Sequence, residues 1–349
     1  MLDDVDDATR SPTAGKTGRS GEFVIAPLPS RSPLLGWTVA VPAMYFYRPG
    51  QPSESSSPWI TGAMGLYTED GGWGAGLFHR MNLSEDRWRL QAGAFTADID
   101  YSFFGIGGNP ESSIPLNQEI RLLTLEALRQ VSPQLYVGLR VVDSYSEVRL
   151  NIDEGLLPPG IDLPDIGFGI DLTAVAPRIQ HDSRDNQFYP NTGRFAEASV
   201  TLGREWLGSD RDYEKYHAEF NDYRSVSDKS VLATRAALQY LGGDAPFFLY
   251  PAFGAGADLR GYDTGTYRDR FLFAAQTEYR YRFRKRFGVV AFAGIGTTAP
   301  KFADWTKSLW SVGAGFRWVV APKNNFSLRI DVARGRDDTQ FYVGLGEAF

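Results

Sequence analysis

The sequence contains no cysteine, which excludes disulfide bonds, thiolate metal ligands and cysteine nucleophiles. Histidine is almost as scarce, and its three copies at His79, His181 and His217 are too scattered for a histidine metal site. The formal net charge of -6 provides no basic surface for nucleic acid. No apolar run approaches the roughly 18 residues that a transmembrane helix needs, so a helical membrane protein is excluded.

The amino terminus also lacks the basic and then apolar pattern of a secretory signal peptide, because Met1 is followed by Leu-Asp-Asp-Val-Asp-Asp. This start fits either a cytosolic protein or a mature exported form with an added methionine. The composition of the rest of the chain favours the mature exported form. Residues 1–21 are polar and aperiodic, so we predict a disordered periplasmic tail.

Aromatic residues and glycine are abundant, with 14% aromatic residues and 37 glycines in 349 residues. From Phe23 onward, segments of alternating polarity are separated by turn-rich stretches. In residues 271–284 one face carries mostly aromatic side chains, whereas the other carries mainly polar and charged ones: Phe271, Phe273, Tyr279, Tyr281 and Phe283 against Gln276, Glu278, Arg280, Arg282 and Arg284. A single strand of this kind also suits a soluble sandwich. The whole set, with its many long strands, favours an apolar outer face in lipid and a polar lumen.

We therefore predict an all-β fold: a transmembrane antiparallel β-barrel of about 16 strands over residues 22–349. Residues 120–131 suit a helix as well as a strand by propensity, and their neighbours favour a strand. Long insertions after residues 104, 150 and 241 are placed at the extracellular end, and short turns at the periplasmic end. Glu197, Glu219, Arg235, Glu278, Arg280 and Arg329 are predicted to line a wet lumen.

The longest insertion contains Gly-Ala-Gly-Ala-Asp-Leu-Arg-Gly-Tyr at residues 254–262, where neither strand nor helix periodicity continues. Arg260 carries a planar fork of donors, which suits a carboxylate better than open water. We predict that the loop folds into the lumen and that Arg260 pairs with Glu278, which the strand alternation points inward. The alternative is a solvated surface loop.

Three features, in order along the chain, resemble the bacterial surface-antigen or BamA-type outer-membrane β-barrel superfamily. They are the turn Asp-Ser-Arg-Asp-Asn-Gln-Phe-Tyr-Pro-Asn-Thr-Gly at residues 182–193, the Leu-Arg-Gly-Tyr loop three strands later, and the terminal Phe349 after five more strands. The resemblance covers residues 22–349 and identifies Arg260, Gly261, Tyr262 and Glu278 as a lumen loop clamp, with Phe349 as the barrel C-terminal signal.

Two departures from the family pattern bear on function. Members that move polypeptides usually carry amino-terminal POTRA repeats, and this sequence has only a short tail at that place, like a barrel-only member. In the family the loop arginine also meets acidic residues on the next two strands. Glu278 matches the first, but Gly294 occupies the position of the second. The sequence therefore indicates that one carboxylate of the clamp is lost or is supplied from elsewhere.

The resemblance implies an outer-membrane barrel that assists insertion or transport of proteins or lipids, located in the bacterial cell outer membrane. The alternative is a passive pore or structural surface antigen without assembly activity. Candidate partners are the lipid bilayer, accessory periplasmic subunits and client outer-membrane proteins, with no nucleic acid. No enzymatic activity, cofactor or metal is expected: His181-Asp182-Ser183 has the residue types of a triad, but adjacent strand residues point to opposite faces.

The junction between the first and last strands is predicted to be weak. Pro27 and Pro29 cannot donate hydrogen bonds to a ladder, so pairing of the first strand is expected to be short. Gly344 and Gly346 reduce side-chain packing in the last strand.

Overall fold

The computed structural model describes residues 21–50, 57–107, 113–151, 167–254, 258–305, 308–337 and 339–349. Almost all regular structure is β-strand, and among these residues no helix is long and apolar enough to span a membrane. The strands are β1 Glu22–Ile25, β2 Leu28–Ser32, β3 Gly36–Tyr47, β4 Trp59–Thr68, β5 Trp73–Leu83, β6 Trp88–Phe103, β7 Ile114–Ser132, β8 Leu135–Leu150, β9 Gly167–Asp182, β10 Gly193–Gly203, β11 Tyr213–Ser227, β12 Ser230–Gly243, β13 Phe271–Arg284, β14 Phe287–Ala299, β15 Leu309–Ala321, β16 Phe326–Arg334 and β17 Thr339–Leu345.

The strands form a single antiparallel sheet in chain order, in which each strand from β3 to β17 pairs with the next. β1 and β2 are two parts of one interrupted strand, because both pair with β3. The wall therefore has sixteen strands, and the all-β barrel prediction is confirmed. Residues 120–131 lie within β7 and are a strand, as their neighbours indicated. The predicted tail, residues 1–21, lies outside the described residues except for Gly21.

Alternation along β13 separates the two faces as predicted. Tyr279, Tyr281 and Phe283 are exposed on the outer face, whereas Glu278 and Arg280 are almost fully buried on the inner face. β16 shows the same division, since Asp331 is 0% exposed and its neighbour Val332 is 47% exposed. In a barrel this pattern places the apolar residues in lipid and the charged residues around the lumen, where they must find partners.

The junction between the ends of the sheet is its least regular part. β17 is the neighbour of β2 in the strand order, yet the described residues do not close the sheet there with a continuous ladder. β1 is instead fixed by Glu22, at the end of the barrel that carries the β15–β16 turn. The Glu22 carboxylate accepts hydrogen bonds from the backbone amides of Lys323 (2.9 Å) and Asn324 (3.1 Å). These contacts tie the first strand to the β15–β16 turn through a side chain.

The two ends of the barrel differ because the strands alternate in direction. Most connections at one end, which we call the short-turn end, have two to four residues, although the β3–β4 and β9–β10 connections there are longer. The longest connections lie at the other end. The connection between β12 and β13 is the longest within the described residues, and its residues 258–263 turn back inside the wall. This return of the chain places the predicted site in the lumen.

Candidate functional site

The lumen contains a segment of the β12–β13 loop, Asp258–Asp263, which we call the loop tip. Its side chains and backbone contact the inner faces or ends of six strands, from β12 to β17. The contacts in chain order are Asp258 with Arg235 and Gln239, Leu259 with Gly294 and Gly296, Arg260 with Gln276, Glu278 and Asp331, Gly261 with Tyr342, Tyr262 with the carbonyl of Trp310, and Asp263 with Gln340. A segment of six residues thus bridges more than a third of the wall.

Arg260 is the centre of these contacts and is 2% exposed. Its Nη2 donates to Glu278 Oε1, its Nη1 donates to Asp331 Oδ2 at 2.7 Å, and its Nε donates to Gln276 Oε1 at 3.1 Å. The guanidinium carbon lies 3.4 Å from the ring centroid of Phe292. Every nitrogen of the fork has a partner, and the ring covers one face, so the burial of the cation is compensated.

Asp331 on β16 was not singled out by the sequence as a partner of Arg260. Asp331 is two residues from Arg329, which was predicted for the lumen, so strand alternation puts both on the same face. Alternation does not place Asp331 beside a loop that enters three strands away. The structure also gives a reason for Gly294, which stands at the family's second acidic position. A Cβ there would lie 2.8 Å from Leu259 Cδ1 and 2.9 Å from the carbonyl oxygen of Ala275. Leu259 occupies the space beside Gly294, and Asp331 supplies a second carboxylate to Arg260 from another strand.

This packing makes a prediction about Gly294. The Gly294→Ala substitution should lower the free energy of unfolding by about 1–3 kcal/mol, because the new methyl group meets the Ala275 backbone as well as Leu259. Gly65→Ala is the matched control in a strand interior, since a Cβ there meets nothing within 4 Å. Urea unfolding of both variants in lipid vesicles measures the difference. Equal stability of the two variants would show that Leu259 does not pack on Gly294.

Arg260 belongs to a closed ring of six alternating charges. From Arg260 the ring passes through Glu278 to Arg280 (2.9 Å), Glu347 (4.0 Å), Arg317 (2.7 Å) and Asp331 (2.5 Å), and it returns to Arg260 at 2.7 Å. Three arginines balance three carboxylates, and all six side chains are at most 4% exposed. The ring joins the loop tip to β13, β15, β16 and the carboxyl-terminal residues.

Gly261 and Tyr262 fix the backbone of the loop tip. Gly261 has φ of 100° and approaches the backbone so closely that a Cβ would lie 2.8 Å from the nitrogen of Gly335. The Tyr262 hydroxyl donates to the carbonyl of Trp310 at 2.6 Å. Nearby, burial and a hydrogen bond to Asp337 raise the pKa of Tyr267, so its hydroxyl stays protonated and able to donate.

Phe349 lies away from the last strand. β17 ends at Leu345, Gly346 adopts φ of 78°, and residues 347–349 turn inward. The carbonyl oxygen of Phe349 accepts a hydrogen bond from Arg280 Nη2 at 2.8 Å. The Phe349 ring packs against Tyr223 of β11 and Tyr189 of the β9–β10 connection. The carboxyl terminus therefore lies in the lumen beside the charge ring.

The turn at residues 182–193 occupies the short-turn end of the lumen. Asp185 accepts hydrogen bonds from the amides of Asn191 (2.8 Å) and Thr192 (3.1 Å), which hold the turn in a compact form. The guanidinium of Arg282 lies 3.9 Å from the ring centroid of Tyr189. The turn thus packs beneath the carboxyl terminus, whereas the loop tip fills the lumen above it.

The remaining charged residues predicted for the lumen also lie in networks. Arg235 contacts Glu219 (2.7 Å) and Asp258 (2.8 Å), and Arg178 joins Glu126 to Glu197. Among the described residues Arg329 Nε is buried without a partner, as is Arg178 Nε, whose guanidinium is held through its other nitrogens. The three histidines lie on the separate strands β5, β9 and β11.

The wall and its lumen define the class of the protein: a transmembrane β-barrel with a loop held inside. A family model for the Omp85 superfamily domain matches residues 165–349, more than half of the chain. The chain therefore belongs to the Omp85 superfamily, whose BamA and CdiB members are outer-membrane barrels.

Solved structures with the same fold include BamA from Haemophilus ducreyi lacking POTRA domains 1-3, at 15% identity and a TM-score of 0.61, covering 95% of this chain and 71% of that one. CdiB from Escherichia coli has 11% identity and a TM-score of 0.63, with 97% and 64% covered. CdiB from Acinetobacter baumannii has 10% identity and a TM-score of 0.60, with 95% and 60% covered. The chain spans less than two thirds of either CdiB chain. A comparison with curated proteins finds no match.

Proposed function

We propose that this chain is an outer-membrane barrel that assists the insertion or transport of proteins or lipids, and that Arg260, Gly261, Tyr262 and Glu278 act as a clamp on a lumen plug. In this role the clamp is structural and performs no catalysis. The observation that carries the proposal is the burial of Arg260, a loop residue, between carboxylates of β13 and β16. A barrel built only for diffusion has no need of a buried plug with compensated charges.

The weak junction between β2 and β17 supports the same proposal. A barrel wall presents no free strand edges once it is closed, whereas a wall with an incomplete ladder offers backbone groups for another strand. The side-chain contact of Glu22 with the β15–β16 turn supports this junction at one end. We propose client outer-membrane proteins or accessory periplasmic subunits as partners there.

The second candidate function is a passive pore or structural surface antigen. Its supporting observation is the set of charged side chains on the inner face, which keeps a lumen wet once the loop tip moves out. The two functions differ in what their loss does to other proteins of the same membrane.

A deletion strain separates the two functions. Under the assembly proposal, quantitative proteomics of its outer membrane should show at least one other barrel or surface lipid reduced about twofold or more, with restoration by the intact gene. The Arg260→Ala variant should restore the levels of these barrels or lipids less completely than the exposed-site control Arg336→Ala. Unchanged levels of all other barrels and surface lipids would favour the passive pore.

A further inference from the structure

One part of the lumen is apolar. A cavity of about 300 Å³ lies against the inner faces of β6, β7 and β8, next to the β2–β3 turn and residues of the β12–β13 loop. Its walls are formed mainly by apolar side chains, including Leu34, Leu35, Ile99, Ile120 and Leu122. A lumen wall exposed only to water would be polar, as it is on β12 and β13. Part of this apolar surface packs against Leu34, Leu35 and Phe248, and the cavity is the space left between them.

Two polar side chains lie at this cavity without complete hydrogen bonding. Tyr101 is 8% exposed, and its hydroxyl has no partner among the described residues. Arg268 donates from Nη1 to the carbonyl of Phe247 at 3.1 Å, but its buried Nε has no partner in the same part of the chain. Both atoms are covered by neighbouring protein atoms. Leaving them unpaired costs free energy, so a rotation of the two side chains that brings these donors to an acceptor in the cavity would be favoured.

The remaining polar groups of the cavity are already paired. Gln118 Nε2 donates to Ser146 Oγ at 2.6 Å, and Ser144 Oγ donates to the carbonyl of Leu172 at 3.3 Å. No carboxylate lines the cavity within the described residues. Burial lowers the pKa of Arg268 from its ordinary value, which reflects a cation without an anionic partner. An anionic group would compensate this charge.

We propose that the cavity binds a single-chain anionic amphiphile, with its alkyl chain along Ile99, Ile120 and Leu122 and its head group accepting hydrogen bonds from Arg268 and Tyr101. The volume lies at the small end of ligand pockets. A free fatty acid and a lysophospholipid share this chemistry. The site is independent of the proposed assembly function, because none of its residues belongs to the loop tip or the charge ring.

The test uses the full chain in phosphatidylcholine nanodiscs with a decanoic acid probe that carries a photoreactive diazirine at the chain end. Peptide mass spectrometry should place the label on Ile99, Ile120 or Leu122. Excess decanoate or excess lysophosphatidylglycerol should remove it, and the better competitor identifies the source of the ligand. Label confined to Leu123 and Leu125, which face outward on β7 with about half of their surface exposed, would reflect the bilayer alone and overturn the proposal.

Two variants test the head group. Arg268→Gln should raise the decanoate concentration that displaces half of the probe by about tenfold, while labelling by the matching decanol probe stays unchanged. Tyr101→Phe should give a smaller loss of the same selectivity, and the control Arg270→Gln, outside the cavity, should behave like the parent chain. Equal loss of acid and alcohol labelling in Arg268→Gln would contradict the head-group assignment. A heat-dependent shift in gel mobility shows that each variant is folded.

Discussion

Deletion of residues 256–268 should change the conductance of the barrel more than any point substitution. We expect the intact chain to give small, flickering currents in planar bilayers, because the loop tip is bound to six strands inside the lumen. Without these residues, the charged inner face should surround water, and steady currents several times larger should appear.

The matched control for the deletion is removal of the short 3-10 segment Glu205–Leu207 at the same end of the barrel. Its residues are not buried, and Trp206 is 79% exposed, so the loss should leave the current unchanged. Steady porin-like current from the intact chain would show that the loop lies outside the lumen in the membrane.

The Arg260→Ala substitution should have the largest effect on stability. It removes a buried cation from Glu278 and Asp331, which then keep only Arg280 and Arg317 as arginine partners. Because breaking a buried ion pair leaves uncompensated charge, we expect a loss of about 3 kcal/mol in the free energy of unfolding. The loop should also become sensitive to added protease while the strands stay protected.

Arg336→Ala is the control for this substitution. Arg336 follows β16 near the loop tip, its side chain is 56% exposed, and its ion pair with Asp337 measures 3.9 Å. Exposed pairs of this kind contribute about 0–1 kcal/mol, so the stability should barely change. Equal stability of the Arg260 and Arg336 variants would mean that the charge ring around Arg260 contributes nothing to the free energy of unfolding.

The sequence was sufficient for the wall of the barrel because strand alternation reports directly on environment. Tyr279 and Glu278 are neighbours in the chain, and their side chains lie in lipid and in the lumen. The same rule placed Asp331 on the inner face. It could not place Asp331 beside Arg260, because that contact depends on how far across the wall the loop reaches before it turns.

The position of Phe349 shows another limit of sequence patterns. A terminal aromatic residue after an alternating segment predicts that the last strand continues to the carboxyl terminus. The left-handed conformation of Gly346 instead turns the chain inward, and Arg280 then holds the Phe349 carbonyl. Glycine permits this conformation without requiring it, so the turn depends on the partners that the lumen supplies.

The first strand gives a third example. Pro27 and Pro29 indicated short pairing, and the structure contains a strand interrupted between Ile25 and Leu28. Both halves pair with β3 in the structure. The attachment of Glu22 to the β15–β16 turn joins residues about 300 positions apart, and no local pattern encodes it.

The central claim is that Arg260 holds the loop in the lumen through carboxylates on two strands. A double-mutant cycle on Arg260 and Asp331, with each residue changed to alanine alone and together, tests it most directly by urea unfolding in lipid vesicles. If the two side chains are in contact, as their 2.7 Å separation requires, the coupling free energy should be about 1 kcal/mol or more. Additive losses, within about 0.5 kcal/mol, would show that the two residues do not interact and would contradict the clamp.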